Sequence, residues 1–187
     1  IDRLVLTGHE PVVRDVASMR ALVADEIALH GDEWEGALAA VRRVHAAETL
    51  RIGFFDLAGR LGADEVSRQL SVLADALIAS LVQAALRDVA DRADVPDDAF
   101  GVIAGGALAS SELGYDSPLA LIFVHGPALD ARVARRLARS VVTGLTCATP
   151  EGAPYEVAAE SGPTGSHGPL CVSSARFLQH HRDEAGT

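Results

Sequence analysis

Apolar residues in the first half of the chain recur at helical spacing. In the segment 13–30, Val13, Val16, Met19, Leu22, Val23 and Ile27 fall three or four residues apart, which predicts an amphipathic helix. His30-Gly31-Asp32 closes that segment and leaves Asp32 available to cap the next. Trp34 to Phe55 reads as one or two further amphipathic helices. The longest segment runs from Asp64 to Asp91, where Val66, Leu70, Leu73, Leu77, Leu81, Ala84 and Leu86 make a broad apolar face suited to a core helix. Asp94-Val95-Pro96-Asp97-Asp98 marks a boundary, because proline pushes the preceding residue out of helical geometry and the aspartates favour turns and caps.

Beyond the boundary the period changes. Phe100–Ala104 and Leu119–His125 are short bounded apolar runs suited to buried strands, with a small-residue turn, Gly106 to Ser110, after the first. Asp130–Leu145 returns to helical spacing, and Tyr155–Glu160 alternates as a strand does. The SGPTGSHGP stretch is loop chemistry, followed by a strand at Leu170–Val172 and a helix from about Ser174 to Arg182. Helices followed by a small mixed sheet predict an α+β fold, with a helical region over 1–95 and an α/β region over 96–187 that together form one compact module.

Composition narrows the function classes. The 187 residues carry a formal charge of −10, against the clustered basic surface that nucleic-acid binding needs. Hydrophobic residues make up 49% and aromatics only 4%, as in a helix-rich protein packed through small aliphatic side chains. All 16 basic residues are arginine, which we read as coding bias. Cys147 and Cys171 lack metal-ligand spacing and read as two thiols in a reducing compartment, hence a cytoplasmic location. No apolar run of membrane-spanning length and no signal-peptide pattern is evident in the sequence. A chain that starts at Ile1 in place of Met reads as one whose first residues are missing or that was excised.

The motifs make the reading more specific. Gly106-Ala107-Leu108-Ala109-Ser110-Ser111-Glu112-Leu113-Gly114-Tyr115-Asp116-Ser117-Pro118-Leu119-Ala120-Leu121-Ile122-Phe123 resembles the pattern GKLGGxELGYxSDLDLIF of the glutamine synthetase adenylyltransferase/adenylyl-removing family. Thr149-Pro150, Gly152, Tyr155-Glu156-Val157, Pro163, Gly165, Gly168-Pro169-Leu170 and Val172-Ser173-Ser174 are similar to a second family stretch. Upstream, Arg42-Arg43, Glu48-Thr49-Leu50-Arg51-Ile52 and Asp56-Leu57-Ala58-Gly59 resemble its RRxExLRIxxxDLxG helix. The likeness covers roughly residues 38–185 and is closer to the adenylylating C-terminal half than to the deadenylating half.

This resemblance implies a polymerase-beta-type nucleotidyltransferase fold, ATP and Mg²⁺ as cofactors, and glutamine synthetase as partner. Such chemistry places two aspartates at i and i+2 of a strand, on one face, with a third from a neighbouring strand, because Mg²⁺ takes hard oxygen ligands. Here the matching positions are Pro118, Ala120 and Ala158. The family lysine position is Ala107, the paired glycines are Ala109 and Ser110, and two arginine positions are Glu160 and Gly162. The resemblance therefore implies a degenerate cleft lined by Gly106, Ser110, Ser117, Pro118, Ala120 and Ala158, with no bound metal or nucleotide expected.

The reading favoured by these losses is a pseudoenzyme module in nitrogen metabolism. It would act as an interaction or regulatory domain on glutamine synthetase, on another regulatory protein or on a copy of itself. One alternative is an active enzyme that transfers or removes AMP with relocated carboxylates, Asp116, Glu156 and Glu160, which lie two residues from the inherited positions. Another is a purely structural domain. His180-His181 cannot chelate as an i, i+4 pair does, since adjacent helical residues point about 100° apart. His125, His167, Ser110 and Ser117 read as strand-end, loop, cap and turn residues.

Overall fold

A computed structural model describes residues 11–31, 33–90, 99–147, 153–158 and 169–185. Among these residues six helices and three strands follow in the order α1 (Val16–His30), α2 (Trp34–Leu57), α3 (Ala63–Ala90), β1 (Phe100–Gly105), α4 (Gly106–Ala109), β2 (Ala120–His125), α5 (Ala131–Thr146), β3 (Cys171–Ser173) and α6 (Ser174–Ala185). The architecture is α+β, as the change of period predicts.

Helix α1 buries Met19, Val23 and Ile27, three positions of the predicted stripe. It begins later than the stripe suggests. Asp15 is its N-cap, accepting a hydrogen bond from the Ser18 amide at 2.8 Å, so Val13 lies ahead of the helix and is exposed. Asp32 and the boundary at Asp94–Asp98 lie outside the described residues. Trp34–Leu57 forms a single helix.

Helix α3 is the central packing element, in contact with α1, α2 and α5. Its Leu73, Leu77 and Leu81 are fully buried, each stabilising the fold by roughly 1.5–3 kcal/mol relative to exposure. Contrary to the expectation from sequence, Ala63–Val89 is long and apolar enough to cross a membrane by length and composition. However, 67% of that window is buried by the rest of the chain, the state of a core helix. Close approach of α5 depends on Gly144, where an added Cβ would lie 2.9 Å from a Leu81 methyl and 3.1 Å from one of Leu38.

The sheet has the order β1-β2-β3. β1 and β2 are antiparallel with Phe100 opposite His125 and Gly105 opposite Ala120, while β3 runs parallel to β2 with Cys171 beside Phe123. Leu121 and Phe123 point into the core that α5 completes with Leu137, Val141 and Leu145. A single cluster of buried side chains runs from Met19 to Cys171, so helices and sheet share one core.

Two expectations need correction. The turn at Gly106–Ser110 is one turn of helix, α4, closed by Ser111 in the left-handed region at φ 60°. Among the described residues the Tyr155–Glu160 segment pairs through one bridge, Leu119 with Val157, and Ala159 and Glu160 lie outside them.

A buried polar network ties the start of the described chain to the helices. Glu48 accepts from Arg51 Nε at 2.7 Å and from Arg14 Nε at 3.0 Å. Gln69, fully buried, accepts from the Arg14 amide at 2.9 Å and donates to the Arg14 carbonyl at 2.7 Å. Arg51 also donates to the Val12 carbonyl and to Gln69. The Glu48–Arg51 motif thus anchors residues 12–14, with one carboxylate shared by two guanidinium groups.

Candidate functional site

The bridge between Leu119 and Val157 assembles the site. The Leu119 amide donates to the Glu156 carbonyl at 2.8 Å, and the Ala158 amide donates to the Leu119 carbonyl at 2.9 Å. Paired residues share a side and neighbours alternate along an extended chain. Leu119 is wholly buried on one side. Pro118 and Ala120 therefore lie on the other side, together with Glu156 and Ala158.

The end of β1 completes this face. Gly105 pairs with Ala120, and a Cβ added at Gly105 or Gly106 would stand 3.6 or 3.8 Å from the Ala120 methyl. Gly106 takes φ +56°, a conformation that favours glycine, and there the chain turns from β1 into α4. Backbone and small side chains thus frame the three positions, none of which carries a side-chain oxygen. Ala107, at the family lysine position, supplies no cation.

Beside this face is a cleft of about 530 Å³ lined by Tyr115, Asp116, Ser117, Pro154, Tyr155 and Glu156. Asp116 sits in a turn, not on the strand as ideal geometry suggests, because the Ser117 amide donates to the Gly114 carbonyl at 3.2 Å and Ser117 Oγ accepts from the Gly114 amide at 2.9 Å. Asp116 and Glu156 still line the same cleft, both exposed. Glu160 and His167 lie outside the described residues. Among the described residues, no three His, Cys, Asp or Glu side chains stand together in a group that could hold a metal ion.

The remaining sequence candidates have local roles. Ser110 caps α4, with its hydroxyl 2.9 Å from Glu112 Oε2. His125 Nδ1 donates to the Gly126 carbonyl at 2.9 Å, at the far end of β2. His180 and His181 lie tilted at 57° to one another with ring centroids 5.6 Å apart, and Phe177 meets His181 edge-on at 4.4 Å.

Two contacts not anticipated from sequence hold the cleft in place. Tyr115 donates its hydroxyl to Asp56 Oδ2 at 3.0 Å, fastening the loop before β2 to α2. Burial, and then the bonded Asp56 carboxylate, push this phenol up to about 12. Both residues belong to the quoted motifs, which was the available signal, but nothing in their spacing pairs positions 59 residues apart.

The second contact is His45, edge-on to Tyr155 at 4.8 Å between centroids. Burial holds its imidazole below the usual value of 6.5. The unfolded chain therefore binds this proton more readily, so the stability contribution is present above about pH 6.5 and is lost as pH falls below it. Urea midpoints compared at about pH 7.5 and about pH 5.5 should show a smaller gap in His45→Gln than in wild type. An unchanged gap would rule out His45 as a contributor.

A family profile for glutamate-ammonia ligase adenylyltransferase matches residues 1–187. The chain is 33% identical over 190 residues to a bifunctional glutamine synthetase adenylyltransferase/adenylyl-removing enzyme of Neisseria meningitidis serogroup B, covering 100% of this chain and 21% of that protein. An enzyme of the same name from Chromobacterium violaceum is 34% identical over 174 residues, covering 89% of this chain and 19% of the relative. One from Xanthomonas axonopodis pv. citri is 32% identical over 200 residues, with 100% and 21% coverage. The chain thus spans about a fifth of the length of the curated relatives it matches.

Proposed function

Because this chain belongs to the glutamate-ammonia ligase adenylyltransferase family, we propose that it is a nucleotidyltransferase module that has lost metal-dependent AMP transfer and now serves recognition or regulation. The observation that carries this reading is the shared face of Pro118, Ala120 and Ala158. All three sites where the chemistry requires carboxylates are apolar, and they come together through the Leu119–Val157 bridge. A divalent cation needs hard oxygen donors, so these residues do not fit Mg²⁺, and a triphosphate there would lack both metal and lysine to balance its charge.

Glutamine synthetase is the partner we assign, since the relatives are named as enzymes that adenylylate it. The cytoplasm is the location we assign, in keeping with two cysteines, Cys147 and Cys171, that lack metal-ligand spacing and read as thiols of a reducing compartment. Purified glutamine synthetase passed over the immobilised module should bind saturably in the presence of EDTA. Absence of binding at high micromolar concentration would overturn the partner assignment.

A second reading rests on Asp116 and Glu156, which line one cleft and offer two relocated carboxylates. It predicts metal-dependent ATP binding by the wild-type chain, and that separates it from the first.

A further inference from the structure

We propose that the cavity between the end of β2, the start of α5 and the start of α6 is a binding site for a small phosphate-bearing anion. It is an open groove of about 340 Å³, and its lining includes His125, Ala131, Arg135, Cys171, Ser173 and Arg176. β2 and α5, which follow one another, converge there with α6, and each contributes a polar or cationic group. Among the described residues no carboxylate lines the cavity, although the chain as a whole carries a formal charge of −10.

The two guanidinium groups set the ligand class. Arg135 is steered along α5 by a 3.1 Å hydrogen bond from its Nε to the Ala131 carbonyl, which leaves its terminal nitrogens for a ligand. Arg176 stands in the first turn of α6, where its amide donates to Ser173 Oγ at 3.3 Å, and its guanidinium has no carboxylate partner among the described residues. The nearest acid in sequence, Asp130, is committed to capping α5 through the Arg132 and Val133 amides at 2.7 and 3.4 Å. His125 has spent Nδ1 on the Gly126 carbonyl, so Nε2 is its remaining polar atom. Two forked cations from different helices match a tetrahedral dianion, which offers oxygens in several directions, better than a single carboxylate.

This site is separate from the face formed by Pro118, Ala120 and Ala158. Ala120 and His125 are the two ends of β2, roughly 16 Å apart at the rise of an extended strand. The assignment therefore stands whether or not the cleft retains chemistry.

Inorganic phosphate titrated into the full chain at constant ionic strength, followed by amide NMR shifts, tests the site. Saturable millimolar binding is expected, with Arg135→Gln and Arg176→Gln each weakening it roughly tenfold or more. Both arginines are exposed, so their removal leaves the core intact. Arg132→Gln, on the same helix but outside the cavity, should leave the affinity unchanged. AMP is the second probe: AMP binding with the same arginine dependence identifies the ligand as a phosphomonoester, and phosphate binding alone identifies the free anion. No saturation at tens of millimolar phosphate, or equal weakening by Arg132→Gln, overturns the proposal.

Discussion

Replacing Glu48 by alanine is expected to destabilise the fold by about 3–5 kcal/mol, the cost of leaving buried positive charge without its counter-ion. The glutamate is 5% exposed and Arg51 4%, and one carboxylate oxygen accepts from both Arg51 and Arg14. Without it, two guanidinium groups face each other across a space that water enters poorly. Arg51 would also lose the partner that aims it at the Val12 carbonyl and Gln69, so residues 12–14 would lose their anchorage with it. Glu48→Gln keeps the shape and one acceptor and should cost less. Urea denaturation gives both numbers, and a loss below about 1 kcal/mol for Glu48→Ala would place this pair among the exposed ion pairs that contribute little.

The second large effect is a gain. Pro118→Asp, Ala120→Asp and Ala158→Asp together should convert a chain that does not saturate with Mn²⁺ at millimolar concentration into one that binds it in the micromolar range. That change is on the order of 10²-fold or more. The bridge of Leu119 to Val157 already places these positions on one face, beside the Gly105–Gly106 backbone. Replacing Pro118 also restores a backbone donor. Three carboxylates so close repel one another, so the metal-free variant should melt below wild type and recover when Mn²⁺ is added. At a hundredfold excess over the dissociation constant, binding returns about 2.7 kcal/mol. A variant that folds but gains no metal affinity would show that the frame no longer holds its inherited geometry.

The parts of the fold that were legible in sequence are those written in local periodicity. Met19, Val23 and Ile27 announce their helix because residues three and four apart share a face, and Leu73, Leu77 and Leu81 do the same for the core helix. Its ends were less legible, since Asp15 caps α1 while an apolar Val13 precedes it and extends the stripe beyond the helix. The described part of Tyr155–Glu160 pairs at one residue where the alternation suggests a strand, because alternation reports a half-buried extended chain and not the presence of a neighbour.

The candidate site was legible by motif and not by spacing. Nothing local to Ala158 associates it with Ala120; the likeness of both stretches to one family does, and the Leu119–Val157 bridge gives the physical reason. The contacts that sequence reasoning missed are long-range ones. Tyr115 with Asp56, His45 with Tyr155 and Glu48 with Arg14 each join separate elements, and no pattern within one segment encodes its partner in another.

The central claim is that the cleft keeps its frame and has lost its metal chemistry. Titration calorimetry of the wild-type chain with ATP, in the presence of Mg²⁺ and then Mn²⁺, tests it most directly. No saturable metal-dependent heat is expected at millimolar ligand; metal-dependent binding at micromolar ATP would contradict the loss of metal chemistry and assign that chemistry to Asp116 and Glu156.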